Sequence, residues 1–381
     1  MAKRLVVCCD GTWNMPNQKY VTNVSKVARA VLPVAADGTE QRVGYLDGVG
    51  TKWTDKYVGG AFGWGLSEKV REAYCFLVEN YEPGDELFLF GFSRGAYTAR
   101  SLAGLVRNSG ILRPEHEGRL AEAWDLYRDR DKKPGEQVSK DFRKAYAHET
   151  KIRFIGVWDT VGALGIPVPG PHVLWPLVKW VNSHWAFHDT ELSSWIDGAF
   201  HALAVDEQRR AFAPTLWHQQ ADAEGQELKQ VWFSGVHCDI GGGYEDTSQS
   251  DLSLRWMVAR AAEYGLEIDT GALGLGGFDA LGELHESRTK FYRLTRALHR
   301  PIGQSRSEPE GRLDGDEFVS STAKSRYENA DPRYCPRELE RYLGQETGVH
   351  IETIPDETRR PTTPLVLPGN RTPTDPTPQP S

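Results

Sequence analysis

The sequence predicts an α/β protein: a mostly parallel sheet with helices on both faces and a Trp/Pro-rich insertion. Three observations carry this. Short apolar runs of strand length alternate with longer stretches of helical period. Each run stops at a polar or glycine-rich cluster, and these clusters hold Asp10, Asp47, Ser93, Asp159 and His237. In open parallel sheets ligands bind beyond the carboxyl ends of the strands, so these groups fall where a site belongs. Finally, Leu87 to Gly95 runs from an apolar strand into a helix through a Gly-x-Ser-x-Gly turn.

Taken in order, Arg4 to Cys9 is the first strand and ends at Asp10-Gly11-Thr12-Trp13-Asn14. Arg42 to Leu46 is the second and ends at Asp47-Gly48-Val49-Gly50. A glycine-rich stretch, 59–65, precedes a helix with Val70, Tyr74, Leu77 and Val78 on one face. Pro83-Gly84 stops that helix, and Glu86 to Phe90 is the third strand. The helix after Ser93 carries Ala96, Ala99, Leu102, Ala103 and Val106 at helical spacing. Charged helical sequence fills roughly 115–149, and Ile152 to Trp158 is the fourth strand, ending at Asp159-Thr160. Residues 161–200, rich in Pro, Gly and Trp, read as an insertion. Gln230 to Gly235 is a further strand running to His237, and a helix follows from about Leu252 to Tyr264.

One domain over 1–350 accounts for these elements. Eight of the 22 prolines fall after Ile354, among threonines and few apolar residues. Residues 355–381 are therefore expected to be a disordered tail. The net charge of −8, with 45 basic against 53 acidic side chains and no basic cluster, argues against a nucleic-acid partner. No apolar run reaches the roughly 20 residues of a membrane span. No signal peptide is expected from the stretch after Met1, and the five cysteines are not spaced as metal-binding pairs. The expected location is cytoplasmic as synthesised, with export by a signal-less route as the alternative.

The Gly-x-Ser-x-Gly turn has the layout of a nucleophile elbow, with Ser93 raised above the sheet edge. A serine hydroxyl needs a base within hydrogen-bond reach. His237, directly after a strand in Gly-Val-His-Cys-Asp-Ile-Gly-Gly-Gly-Tyr, is the best placed of the 11 histidines. A carboxylate must hold the imidazole in the right tautomer. Asp159 is the candidate, since the order Ser, Asp, His is that of α/β-hydrolases. Asp206 and Asp239 compete with it. Arg94 N–H supplies one oxyanion donor, and Gly11 or Thr12 the second. Asp10-Gly11-Thr12 also has the look of the opening motif of haloacid-dehalogenase-type phosphatases. Cys8, however, stands where their nucleophilic aspartate belongs. His184 and His188 share a helical spacing but lack an acidic third ligand, so no metal and no cofactor are expected.

Several stretches together resemble the DUF2235 family, best known from Tle1-type phospholipase effectors of type VI secretion. These are residues 9–14, 45–51, 91–96, 157–162, 201–207 and 231–244, in one order along the chain. The resemblance implies an α/β-hydrolase fold and an esterase or phospholipase triad, which carries over onto Ser93, Asp159 and His237. Two departures from the family stand out. Cys238 replaces a usual serine, and the large membrane-targeting additions of the secreted effectors are missing.

The expected activity is that of a serine hydrolase cleaving a carboxylic ester through an acyl-enzyme. A phospholipid or other lipid ester is favoured. The apolar residues of 164–187, with Trp175, Trp180 and Trp185, suit a lid over an acyl channel or a peripheral membrane contact. The competing readings are a buried packing role for that segment, a non-catalytic binding module on the same fold, and an acyl transferase or peptidase with the same triad.

Overall fold

Strands that are apolar on both faces are satisfied only between two layers of helices. β1 (Arg4–Cys9) is buried at every residue. β2 (Gln41–Leu46), at the sheet edge, is only partly buried. β3 (Glu86–Phe92) is buried at all but its first residue. A small antiparallel pair follows, β4 (Ile111–Leu112) with β5 (Ala147–His148). β6 (Ile152–Trp158) and β8 (Ile196–Ala204) are central, and β7 (Glu191–Leu192) pairs separately with β9 (His218–Gln219). β10 (Glu227–Phe233), β11 (Glu317–Ser320) and β12 (Ile351–Glu352) complete the set. The computed structural model describes residues 2–11, 19–48, 61–129, 131–161, 191–220, 223–288, 292–293, 296–304 and 316–356.

Eight strands form one sheet in the order β12-β11-β10-β8-β6-β3-β1-β2. Every pairing in it is parallel. The sheet tapers on one side, from seven residues in β10 to four in β11 and two in β12. β1 is flanked by β2 and β3, so the strand order reverses between β1 and β3. This is the topological switch point where such sheets open a crevice for ligands.

The helices are α1 (Asn23–Ala30), α2 (Ala61–Asn80), α3 (Arg94–Ser109), α4 (Leu120–Arg128) and α5 (Gln137–Tyr146). Beyond them lie α6 (His237–Gly241), α7 (Ser248–Glu263), α8 (Ser321–Asn329) and α9 (Arg337–Leu343). Side chains alternate along each strand, and the two faces have different partners. Leu5, Val7, Leu87, Leu89, Ile155 and Val157 pack with α2, α3, α4 and α5. Val6, Phe88, Phe90, Phe154, Trp158 and Phe200 pack with α1 and α7. A smaller cluster around Trp232, Ile302, Val319, Leu339 and Tyr342 seats α8 and α9 against the tapering side.

The sequence reading of 161–200 as one insertion is too long at its end. Ile196–Ala204 is a central strand between β6 and β10. It escapes a pattern search because it carries Gly198, Ala199, Ala202 and Ala204 instead of branched residues. Their smallness is needed, since a Cβ at Gly198 would lie 2.3 Å from the Tyr264 ring. Residues 162–190, and with them Trp175, Trp180 and Trp185, lie outside the described residues.

Candidate active site

Ser93 sits between β3 and α3 with φ 58° and ψ −119°. A non-glycine residue adopts this conformation only when its surroundings impose it, at a cost of about 1–3 kcal/mol. Here the imposition can be traced to neighbouring glycines. A Cβ at Gly91 would lie 2.5 Å from the Gly95 carbonyl oxygen. A Cβ at Gly95 would lie 2.1 Å from the Cys9 carbonyl oxygen and 2.5 Å from that of Asp10. The start of α3 is thus pressed onto the end of β1, and only glycine fits. Ser93 N–H donates to the Trp158 carbonyl at 3.0 Å, which ties the elbow to the end of β6. Arg94 N–H is the first amide of α3, at the positive end of the helix. Burial brings the Arg94 guanidinium down to about 10.

Asp159 follows β6 directly. Among the described residues, Ser93 and Asp159 are the two non-glycine positions with positive φ, 58° and 39°. Strain of this kind clusters at functional sites. Asp159 Oδ2 lies 2.6 Å from His237 Nδ1, and both side chains are buried. His237 opens α6, whose first turn is shaped by Asp239: its Oδ2 accepts the Val236 N–H at 2.9 Å. The His237 N–H donates to Glu207 Oε2 at 3.4 Å. The imidazole stacks against Phe92, the residue before Ser93, with ring centroids 4.6 Å apart. Phe212 meets it edge-on at 4.8 Å. Ser93, Asp159 and His237 therefore share one edge of the sheet. Among the described residues no side chain is hydrogen-bonded to the Ser93 hydroxyl.

The competing carboxylates have other partners. Asp206 Oδ2 accepts from Gly235 N–H at 2.6 Å and from the Tyr334 hydroxyl at 2.7 Å. Asp239 Oδ1 faces His285 Nδ1 at 2.7 Å. His201 is a buried structural residue: its Nε2 accepts from Thr160 N–H at 3.1 Å, and burial pushes its pKa down to about 3. Desolvation pushes the thiol of the half-buried Cys238 beside the site up to about 12.

The oxyanion donors expected from the β1 loop are only partly available. Gly11 N–H donates to Asp10 Oδ1 at 2.6 Å, so as folded it is aimed at that carboxylate. Asp10 Oδ2 in turn accepts from the Thr22 and Tyr45 hydroxyls, each at 2.6 Å. Thr12 lies outside the described residues. His184 and His188 also lie outside them, and among the described residues no cluster of three His, Cys, Asp or Glu side chains is placed to hold a metal ion.

Sequence reasoning missed Arg300. Its guanidinium donates to both oxygens of Asp159, Nη1 to Oδ1 at 2.6 Å and Nη2 to Oδ2 at 3.1 Å. It also donates to the carbonyls of Ala204 and Phe212. Both members of the ion pair are fully buried. Burial works against charge on Asp159, but Arg300 and the His237 hydrogen bond outweigh it. They hold the carboxyl well below the usual carboxylate range. No local pattern around Leu298-His299-Arg300-Pro301 marks this residue.

A family described as T6SS, phospholipase effector Tle1-like, catalytic domain matches residues 3–260. The uncharacterized protein YEL023C of Saccharomyces cerevisiae is 23% identical over 400 aligned positions, covering 71% of this chain and 58% of the yeast protein. The chain thus spans less than two thirds of that relative's length. A crystal structure of an uncharacterized protein from Pseudomonas aeruginosa aligns with a TM-score of 0.43 at 18% identity, over 70% of this chain and 46% of the other. With more than half of its length matched, the chain belongs to the family described as T6SS, phospholipase effector Tle1-like, catalytic domain.

Proposed function

We propose that this protein hydrolyses a carboxylic ester of a lipid, most naturally a phospholipid, with Ser93 as nucleophile. The observation that carries the reading is the buried Asp159–His237 pair, at 2.6 Å, on the same sheet edge as the strained Ser93 turn. Family membership supports the lipid class of the substrate.

In this reading Ser93 Oγ attacks the acyl carbonyl while His237 Nε2 takes its proton. Asp159 accepts the Nδ1 hydrogen and stabilises the imidazolium. Arg94 N–H and a second donor from the β1 loop, for which Thr12 is the candidate, hold the oxyanion. The tetrahedral adduct collapses, the carbon–oxygen bond to the alcohol breaks, and His237 returns the proton to the leaving oxygen. Water, deprotonated by His237, then splits the acyl-enzyme and frees Ser93.

The decisive experiment pairs labelling with turnover. The wild-type protein should react with a fluorophosphonate probe, and Ser93→Ala should not. Loss of such a serine costs on the order of 10⁶ in turnover. Near-normal hydrolysis of lipid or soluble esters by Ser93→Ala would remove the proposal. Labelling without hydrolysis of any ester would favour an acyl transferase with the same machinery.

A further inference from the structure

We propose that Arg300 is a positioning residue of the active site: it fixes the direction in which the Asp159 carboxylate meets His237. This rests on the hydrolase reading above.

Asp159 receives four hydrogen bonds. Oδ1 accepts from Ala204 N–H at 3.1 Å and from Arg300 Nη1 at 2.6 Å. Oδ2 faces His237 Nδ1 at 2.6 Å and accepts from Arg300 Nη2 at 3.1 Å. A planar guanidinium bound at both oxygens leaves the carboxylate no free rotation. The oxygen that meets His237 is therefore held in one direction. Arg300 is itself anchored on two backbone carbonyls, one at Ala204, the last residue of β8, and one at Phe212, whose ring touches His237. The arginine thus links three walls of the site.

Other charged groups near His237 are engaged elsewhere. Glu207 receives its N–H and is itself bound by Arg209. Cys238 and Asp239 lie on α6, and Asp239 is paired with His285. Among the described residues, Arg300 is the cation that binds the carboxylate facing the ring.

The residue also comes from outside the matched family region, which ends at 260. The positioning element therefore lies in a different part of the chain from Ser93, Asp159 and His237.

The experiment measures kcat and KM for a short soluble ester with the full chain. In Arg300→Met, turnover should fall roughly 10²-fold with KM little changed, as the carboxylate loses its fixed direction. Arg300→Lys keeps the charge but not the planar two-oxygen clamp, so it should recover only part of that loss. Wild-type turnover in Arg300→Met, or a loss that appears in KM instead of kcat, overturns the proposal.

If Arg300→Met does not fold, a second comparison decides. Asp159→Asn is set against Asp159→Asn/Arg300→Met, which removes both buried charges. The rate of fluorophosphonate labelling is the readout. Arg300 acts through Asp159, so the double variant should label at the rate of the single one, and a double variant slower by tenfold or more overturns the proposal. Failure of the hydrolase reading would show separately, as activity surviving in Ser93→Ala.

Discussion

Phe92 lies against the imidazole of His237, with centroids 4.6 Å apart and planes tilted by 33°. It is also the residue that α6 rests on, since a Cβ at Gly241 would lie 2.1 Å from its ring. One side chain therefore couples the serine turn to the histidine helix. Phe92→Leu should lower turnover at least tenfold with little change in KM, because the imidazole loses its flat support. Phe92→Ala should add a stability loss of about 3–5 kcal/mol for a buried aromatic. Urea unfolding together with steady-state kinetics separates the two effects. A Leu variant with unchanged turnover would deny the coupling.

The Ser93 conformation predicts a trade between stability and activity. At φ 58° and ψ −119° a glycine is at ease and a serine is not. Ser93→Gly should be inactive yet more stable than Ser93→Ala by about 1 kcal/mol, since only glycine relieves the strain. Thermal melts of the two inactive variants test this. Equal melting temperatures would mean that the turn stores no strain.

The three carboxylates near the site should differ sharply. Asp159→Asn should cut turnover by roughly 10⁴ through the wrong imidazole tautomer. Asp206→Asn and Asp239→Asn should be much milder, because their carboxylates bind Gly235 and Tyr334, and Val236 and His285. Turnover of the three purified variants on one soluble ester gives the ranking. A severe loss in either of the others with a mild one in Asp159→Asn would move the acid.

Asp206 predicts a pH dependence of stability with a definite sign. Burial raises its pKa to about 6, against the hydrogen bonds from Gly235 and Tyr334. A carboxyl raised on folding is favoured in its protonated form. Its contribution is full below about pH 4 and lost as the pH rises through about 6. Two pKa units correspond to about 3 kcal/mol. Asp206→Asn should therefore gain stability over wild type between pH 4 and pH 6, with a constant advantage above. Urea unfolding at a series of pH values measures the difference, and an advantage that stays flat across that window would contradict it.

Much of the site was legible because its chemistry sits at strand ends that announce themselves. The apolar runs of β1, β3, β6 and β10 stop abruptly, and the residues that follow them are Asp10, Ser93, Asp159 and, after a short turn, His237. The Gly91 and Gly95 spacing reports two close backbone approaches, Gly91 against the first turn of α3 and Gly95 against the Cys9 and Asp10 carbonyls. β8 was not legible, since a strand made small to fit beneath Tyr264 loses the branched residues by which strands are recognised. Nor was Arg300. A fully buried carboxylate calls for a counter-charge, but nothing in the sequence says which of 45 lysines and arginines supplies it. The engagement of Gly11 N–H by Asp10 was equally hidden, because it depends on one side-chain rotamer.

The taper of the sheet has a consequence for solubility. A long exposed edge strand invites another chain to add to it, and proteins avoid this with short or covered edges. Here β11 pairs with Gln230, Val231 and Trp232 of β10, and β12 with Val319 and Ser320 of β11, so the outermost strand on that side is only two residues long. Cutting the chain at residue 260, where the family match stops, would strip both covers and present the whole of β10 as a template. The resulting fragment should self-associate edge to edge.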